Sequence, residues 1–263
     1  MRTAINAEQI DRYRNDGFLV IEDFLEAGEL DTLREAVDRA VAELGKNKVA
    51  GDSSWVEGDS YYDLVFTQRL NLWKISNVIR SFVTAPALGR MLVELAGVDG
   101  LRVWHDQALI KQPFANPTSW HLDNPYWSFY SRSAISIWIA LDDATPHNGC
   151  LYFIPGSHLQ TSYENSPIGE NMGDLFRLYP QLKDSDPVAA PMRAGSASVH
   201  NGLTAHAAGA NMTRWPRRAM TCAYMPEGSK FNGQRNVLPP AYCEELEVGD
   251  ALDRDEHLPR VFP

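Results

Sequence analysis

The sequence predicts a mainly β protein, a sandwich or a barrel, with flanking helices. From residue 102 onward, short β-like runs are separated by Pro, Gly and Asn, a spacing that favours packed sheets or a barrel over βαβ units. Within 134–141, Ala, Ser and Trp alternate with Ile and Leu, which indicates a strand with two different faces. The five runs that predict strands are RVWHDQALIK, AISIWIALDD, CLYFIP, ASVHNGLTAH and RAMTCAYM, at 102–111, 134–143, 150–155, 197–206 and 218–225.

The first 45 residues predict a helix, a strand and a second helix. The segment AEQIDRYRNDG is typical of a short helix ended by Gly17, and the apolar residues 18–21 are typical of a strand. The next helix covers GELDTLREAVDRAVAELG at 28–45, with Gly45 as its C-cap. Its apolar residues keep the spacing of one helix face: Leu30, Leu33, Val37, Ala40, Val41 and Leu44.

Residues 46–77 break this pattern, because Gly, Asp and Ser are interleaved with Trp and Tyr. We interpret 46–77 as a long loop and as a candidate lid, since long aromatic loops are usually either lids or packed surface loops. The Pro-rich, irregular tail 226–263 is a second candidate lid segment. No repeat, low-complexity tract or linker divides the sequence, so residues 1–263 are predicted to form one domain.

The composition excludes several classes of function. With 24 Lys and Arg against 34 Asp and Glu, the formal net charge is −10, so no nucleic-acid partner is expected. No long apolar run occurs, and the charged start MRTAINAEQIDRYRND is unlike a signal peptide, so we expect no membrane span and a cytoplasmic location. Cys150, Cys222 and Cys243 lack CxxC spacing and are expected to be reduced thiols. The expected partner is a small molecule, and nothing in the sequence indicates an oligomeric state.

The segment SWHLDNPY at 119–126 places His121 and Asp123 one residue apart. If the segment is extended, residues i and i+2 share a face, so the imidazole and the carboxylate can address one partner. An isolated HxD pair is also explained by a local hydrogen bond of His121 and an Asx-turn at Asp123 before Pro125. A metal site therefore needs a third ligand.

Two of the seven histidines remain as candidates for that ligand, His200 and His206. The sequence does not decide which way His105 points. The other three lie in turns or in the polar tail: His147, His158 and His257. Two histidines and one carboxylate on one face, with open positions opposite, are the ligand set of non-haem Fe(II) oxygenases. Such a site also needs a basic residue to hold the far carboxylate of a bound oxo-acid.

These residues resemble the phytanoyl-CoA dioxygenase family of Fe(II)- and 2-oxoglutarate-dependent oxygenases. The likeness rests on HxD at 121 and 123, a histidine at 206 and an arginine eleven positions later at 217. It extends to the runs DQALIKQP, NGCLYFIPGSH and HAAGAN, and so covers roughly residues 100–226 together with the opening helices. The resemblance implies a double-stranded β-helix (jelly-roll, cupin-like) core.

The resemblance also implies Fe(II), 2-oxoglutarate and O₂ as cofactor and co-substrates. The expected reaction is hydroxylation of a small organic molecule, with release of succinate and CO₂. By this resemblance, the iron ligands are His121, Asp123 and His206. Arg217 would pair with the distal carboxylate of 2-oxoglutarate. Gln107 and Trp138 would line the co-substrate site. His200 is then a structural residue.

Three positions refine this expectation. Ala208 stands where the family commonly has a small hydroxyl residue, so either Thr204 or Thr221 replaces it or no residue does. Arg218 follows Arg217, and neighbours on a strand face opposite sides, so only one of them can reach the pocket. Related iron halogenases have Gly or Ala at the carboxylate position, so an aspartate there favours hydroxylation or another oxidative outcome over halogenation.

Two other functions use the same metal ligands. A cupin-like ligand-binding protein without oxygenase activity would have no use for Arg217. A metal-dependent isomerase or epimerase would require an acid/base pair close to the metal. For the substrate, the sequence shows no Lys/Arg cluster for the phosphates of a CoA ester, which favours a free small molecule of modest polarity.

Overall fold

The structure is a computed structural model and describes residues 1–262. Its α-helices are α1 (Ala7–Asp16), α2 (Ala27–Leu44), α3 (Tyr61–Val65), α4 (Asn77–Val83), α5 (Pro86–Ala96), α6 (Leu175–Leu178) and α7 (Pro240–Glu244). Its strands are β1 (Phe18–Ile21), β2 (Asn47–Val49), β3 (Asp52–Val56), β4 (Thr67–Leu70), β5 (Leu101–Lys111), β6 (Thr118–His121), β7 (Ile135–Ala140), β8 (Leu151–Phe153), β9 (Val188–Ala190), β10 (Ala197–Asn201), β11 (His206–Ala208), β12 (Arg217–Pro226) and β13 (Arg260–Phe262).

The strands form a large and a small sheet. The large sheet has the order β1-β10-β7-β12-β5-β4-β2-β3, with β13 added beside β5, and the small sheet has the order β6-β11-β8-β9. Trp138 of the large sheet and Phe153 of the small sheet lie in one buried cluster, so the two sheets pack face to face. This arrangement, with helices outside it, is the predicted jelly-roll core.

Helices α1, α2, α4 and α5 cover the outer face of the large sheet. On β7, the predicted alternation is present: Ile135, Ile137 and Ile139 face outward into a cluster that includes Val37 of α2 and Leu92 of α5. The alternate residues of β7 face the small sheet. The inner face of the large sheet is therefore free to build a site between the sheets.

The predicted opening elements are present. A capping box between Asn6 and Gln9 starts α1, and Gly17 ends it in the left-handed conformation, with φ 81°. A Cβ atom at Gly17 would lie 2.4 Å from Nδ1 of His158, so both backbone angle and space require glycine here. Gly45 ends α2, as expected.

Two expectations were wrong. Residues 46–77 are not a loop, since β2, β3, α3 and β4 lie within them and β4 pairs with β5 over four residues. The predicted strand 197–206 is two strands, because the chain leaves the large sheet after Asn201 and enters the small sheet at His206. The crossing is held by Thr204, whose hydroxyl donates to the carbonyl of Gly17 at 2.8 Å.

The tail contains α7 and β13, and its last residue, Pro263, lies outside the described residues. The three cysteines are unpaired, as expected. Over residues 1–262, none of the helices combines the length and the apolar character that crossing a bilayer requires.

Candidate metal centre

The two histidines of the predicted ligand set lie directly opposite each other on neighbouring strands. His121 ends β6 and His206 begins β11, and the two are register partners in the small sheet. Side chains of directly paired residues point to the same face of a sheet. Accordingly, the centroids of the two imidazole rings are 4.1 Å apart.

Asp123 reaches this pair from a turn rather than from a strand. Its backbone is helical, with φ −78° and ψ −51°, and its side chain caps no helix. The backbone N–H groups of Asp123 and Asn124 donate to the carbonyl of Gly202, at 3.1 and 2.9 Å, which fixes the turn. Oδ1 of Asp123 lies 3.8 Å from Nε2 of His121 and 3.7 Å from Nε2 of His206. The carboxylate is therefore directed at the histidines, and the Asx-turn alternative fails.

Both histidines present an unprotonated nitrogen to Asp123. Nδ1 of His121 donates to the carbonyl of Ser119 at 2.8 Å, and Nδ1 of His206 donates to the carbonyl of Thr204 at 3.0 Å. This leaves each Nε2 with a free lone pair, which is the form that binds metals. Burial lowers the pKa of His206 to about 3 and also lowers that of His121. Both rings are therefore neutral at neutral pH.

The second oxygen of Asp123 has its own partners in the large sheet. Nε2 of His200 lies 3.2 Å from Oδ2, and the hydroxyl of Ser136 donates to the same atom at 3.3 Å. Burial opposes ionisation of Asp123, but the neighbouring imidazoles of His206 and His200 outweigh it and hold its pKa well below the usual value. His200 and His206 thus lie on opposite sheets. His206 belongs to the ligand cluster, whereas His200 contacts Asp123 from the other side. The prediction of a single strand over 197–206 did not distinguish these two positions.

Within the described residues, these three side chains form the one cluster of histidine, cysteine or acidic groups suited to a metal. Ligand atoms of His121, Asp123 and His206 lie within 4.8 Å of one another. Two neutral nitrogens and one carboxylate oxygen, with space on the side away from the protein ligands, match a non-haem iron site.

An inner cavity continues from this cluster between the two sheets. Arg217 lies on its wall and is 1% exposed. Its Nη2 donates to the carbonyl of Gly149 at 3.2 Å, whereas Nε and Nη1 have no hydrogen-bond partner. Burial lowers the pKa of Arg217 to about 10, so it is still a cation at neutral pH. A buried cation with two free donors requires an anion.

Arg218 points the other way, as the alternation predicts. Its guanidinium bonds to Asp142 at 2.7 Å and to Asp38 at 2.7 Å, on the outer side of the sheet. The two adjacent arginines therefore have separate environments.

Gln107 and Trp138 lie in the same row across the large sheet. Trp138 of β7 is paired with Thr221 of β12, which is paired with Gln107 of β5, and all three line the inner cavity. The ring centroid of Trp138 is 5.1 Å from Cζ of Arg217, so the indole supports the guanidinium by a cation–π contact.

The hydroxyl expected near Ala208 has two candidates in the cavity. Thr221 lines the inner cavity. Thr204 does not line the cavity, and its hydroxyl donates instead to the carbonyl of Gly17. The other candidate, Thr118, is the register partner of Ala208 on β6, and its buried hydroxyl has no partner. Sequence reasoning missed Thr118, since only the pairing of β6 with β11 brings it beside Ala208.

Lys111 is a second buried basic side chain at this end of the site. It is the register partner of Arg217, is fully buried, and donates from Nζ to the carbonyl of Asn116 at 2.8 Å. Burial, and then the charge of Arg217, lower the pKa of Lys111 to about 7. The family-like run DQALIKQP contains this lysine, but sequence reasoning gave it no role.

An outer cavity of about 370 Å³ opens from the other side of the ligand cluster. It shares Gln107, His121 and Asp123 with the inner cavity. His105 faces it and is 6% exposed, which answers the question that the sequence left open. Burial lowers the pKa of His105 to about 4, so its ring is neutral.

Comparison with known proteins agrees with this geometry. Residues 13–219 match the family model for phytanoyl-CoA dioxygenase. Methylphosphonate hydroxylase from Gimesia maris is 27% identical over an alignment of 239 positions that covers 85% of this chain and 82% of that protein.

Two solved structures are similar over nearly their whole length. The non-haem α-ketoglutarate-dependent carbocyclase SnoK from nogalamycin biosynthesis has a TM-score of 0.78 at 26% identity, covering 98% of this chain and 96% of its own. The epimerase SnoN, in complex with Fe³⁺, α-ketoglutarate and nogalamycin RO, has a TM-score of 0.72 at 26% identity, with 97% of each chain covered.

The family match spans most of the chain and confirms the resemblance stated from the sequence. The type of enzyme expected from it is confirmed as well. The chain belongs to the phytanoyl-CoA dioxygenase family and is an iron- and 2-oxoglutarate-dependent dioxygenase.

Proposed function

We propose that this dioxygenase hydroxylates a small organic molecule, with release of succinate and CO₂, and that the residues identified from the sequence carry the reaction. The supporting observation is that one cavity contains both a His-Asp-His cluster and Arg217, a buried cation with two unpartnered donors. A protein that only bound a metal would gain nothing from burying that cation, because an unpaired buried charge is costly.

His121, Asp123 and His206 would hold Fe(II). Each imidazole is oriented by a backbone carbonyl, and the carboxylate by His200 and Ser136. Such outer contacts set the tautomer and direction of metal ligands. Asp123 would fill the carboxylate position, which favours hydroxylation or another oxidative outcome over halogenation.

Arg217 would pair with the distal carboxylate of 2-oxoglutarate. Its Nε and Nη1 are free for a charge-assisted pair of hydrogen bonds. Lys111 would add a second basic group from the neighbouring strand, and Thr118 or Thr221 would supply a hydroxyl in place of the one absent at Ala208. Gln107 and Trp138 would form the wall beside the co-substrate.

When bound, Fe(II) and 2-oxoglutarate use O₂ to supply the oxidant that removes hydrogen from a C–H bond. The residues of the chain position the substrate beside the ligand cluster and exclude water. Tyr62 and Phe66 cover the inner cavity, and Tyr126 and Trp127 line the outer one. The segments 46–77 and 226–263 contribute Trp55 and Val237 to the outer cavity, which is compatible with their role as lids.

The outcome of oxidation differs among relatives, since one similar structure is a carbocyclase and another is an epimerase. Mass spectrometry of the product distinguishes the outcomes. Hydroxylation adds one oxygen atom, ring closure removes two hydrogens, and epimerisation leaves the mass unchanged. The cytoplasmic location and the lack of a nucleic-acid partner remain predictions.

The adjacent arginines provide the test of the co-substrate site. Under anaerobic conditions, Fe(II) and 2-oxoglutarate together should give a weak visible charge-transfer band. Arg217→Ala should weaken 2-oxoglutarate binding about 100-fold, since truncating one partner of a buried charge pair costs about 2–5 kcal/mol. The measurement is a titration of the band with 2-oxoglutarate.

Arg218→Ala is the matched control, because it removes the same side chain from the opposite face of the strand. It should leave the titration within about twofold of the wild type. An unchanged titration in Arg217→Ala would contradict the role proposed for this residue.

A further inference from the structure

We infer that the outer cavity binds an uncharged, flat, ring-containing molecule with polar substituents, and that it selects against anions. The inference rests on the proposed function, since it names the substrate class of that site. It is independent of which residue holds 2-oxoglutarate.

The position and size of the outer cavity suit a substrate. It adjoins the ligand cluster through His121 and Asp123, so a molecule bound there lies beside the metal site. Its volume of about 370 Å³ is at the lower end of the range for small-molecule sites, about 300–1,000 Å³. A compact ligand fits this space.

The walls of the outer cavity are aromatic. Trp55, Tyr62, Tyr126 and Trp127 line it and come from three separate parts of the chain. Aromatic side chains from separate elements favour a ligand with a ring that can stack on them, because stacked aromatic pairs contribute binding free energy in addition to that from buried apolar area. Pro167 and Ile168 extend this apolar surface.

The outer cavity contains no cation for an anionic ligand. Among the described residues that line it, none is Lys or Arg. Two basic residues of the neighbouring segments already have acidic partners: Arg235 bonds to Asp52, and Lys48 bonds to Asp63. A phosphonate or carboxylate would therefore lose its hydration without gaining a protein partner.

Apart from Asp123 of the ligand cluster, the polar groups that face the outer cavity are neutral. Nδ1 of His105 and Oδ1 of Asn236 are both buried and have no hydrogen-bond partner. Gln68, on the same wall, donates from Nε2 to Oε1 of Gln107. Neutral donors and acceptors such as these recognise hydroxyl or carbonyl substituents on a ring.

Two probes of equal ring size but different charge test the inference. The anaerobic enzyme with Fe(II) and 2-oxoglutarate is titrated with 2-naphthol, which is neutral at pH 7, and with 2-naphthoate, which is an anion. Methylphosphonate serves as a small anion without a ring. Binding is measured by calorimetry, and 2-naphthol should bind at least about tenfold more tightly than either anion.

Three variants locate the binding. Trp55→Ala should weaken 2-naphthol binding about three- to tenfold, because one aromatic contact contributes about that much to the affinity. Trp215 is exposed and lies outside the cavity, so Trp215→Ala should leave 2-naphthol binding unchanged. Gln68→Lys adds a cation to the wall of the outer cavity. It should therefore reduce the ratio of the 2-naphthoate Kd to the 2-naphthol Kd.

Equal or tighter binding of an anion by the unmodified enzyme would overturn the inference. So would a lack of 2-naphthol binding, or equal effects of Trp55→Ala and Trp215→Ala. Each of these results can occur while the charge-transfer band still forms with Fe(II) and 2-oxoglutarate. Loss of the band itself would instead contradict the proposed function.

Discussion

Asp123 uses its two carboxylate oxygens differently. Oδ1 is directed at the Nε2 atoms of His121 and His206, and Oδ2 accepts hydrogen bonds from His200 and Ser136. An aspartate beside a metal has two nearly equal oxygens, so its orientation is set by what holds the second one. His200 is therefore a positioning residue as well as a core residue.

Replacement of His200 tests this role. His200→Phe keeps the ring volume but removes the donor to Oδ2, so we expect Fe(II) affinity to fall about 10- to 100-fold. His200→Gln, whose amide can donate to the same oxygen, should restore much of the affinity. Anaerobic Fe(II) titration measures both, and equal affinities of the two variants would argue that His200 acts through packing alone.

At the scale of elements, the junction between α1 and β1 holds the crossing from the large sheet to the small one. The Gly17 carbonyl accepts from Thr204, and its amide donates to the carbonyl of Tyr13. Thr204 in turn offers its own carbonyl to His206. The end of an outer helix is thereby linked to the orientation of His206, a proposed metal ligand.

Gly17→Ala should disturb this junction. A Cβ atom there would lie 2.4 Å from His158 and 2.5 Å from Thr204, at φ 81°. We expect a loss of about 2–4 kcal/mol in the free energy of unfolding, from left-handed strain plus overpacking. Urea unfolding measures the change.

Gly28→Ala is the matched control for this substitution. A Cβ atom at Gly28, in the first turn of α2, would meet nothing within 4 Å. It should be neutral or stabilise the protein by up to about 1 kcal/mol. A loss in Gly28→Ala as large as that in Gly17→Ala would refute the steric explanation.

At the scale of the whole molecule, the site lies between two sheets that meet only through tertiary packing. His121 and His206 belong to the small sheet, whereas Arg217, His105 and His200 belong to the large one. Ligands that contact both sheets should therefore stabilise the assembled fold, because they bind the native state and not the unfolded chain.

Anaerobic Fe(II) with 2-oxoglutarate should raise the melting temperature. At a free concentration 100-fold above Kd the gain is about 2.7 kcal/mol, which for a chain of this size corresponds to about 5–10 °C. Scanning calorimetry measures the shift, and Asp123→Ala, which removes one ligand, should abolish most of it. A shift of the same size in that variant would show that the ions bind elsewhere.

The sequence by itself determined the features that depend on near neighbours in the chain. Helix caps at Gly17 and Gly45, the two faces of β7 and the opposite directions of Arg217 and Arg218 follow from backbone conformation and from the alternation of a strand. The residue types and spacing of the family supplied the candidate ligands. These are local or pattern signals, so they need no knowledge of the folded chain.

Only the tertiary structure decided which distant residues meet. The pairing of β6 with β11 places His121 opposite His206 and Thr118 opposite Ala208, and the packing of the two sheets brings His200 to Asp123. Of the strands within 46–77, β4 pairs with the edge of β5, and β2 and β3 extend the sheet from there, although their own residues are too polar to predict a strand. Register and sheet packing join residues far apart in the chain, and their energies arise from contacts that no local stretch of sequence contains.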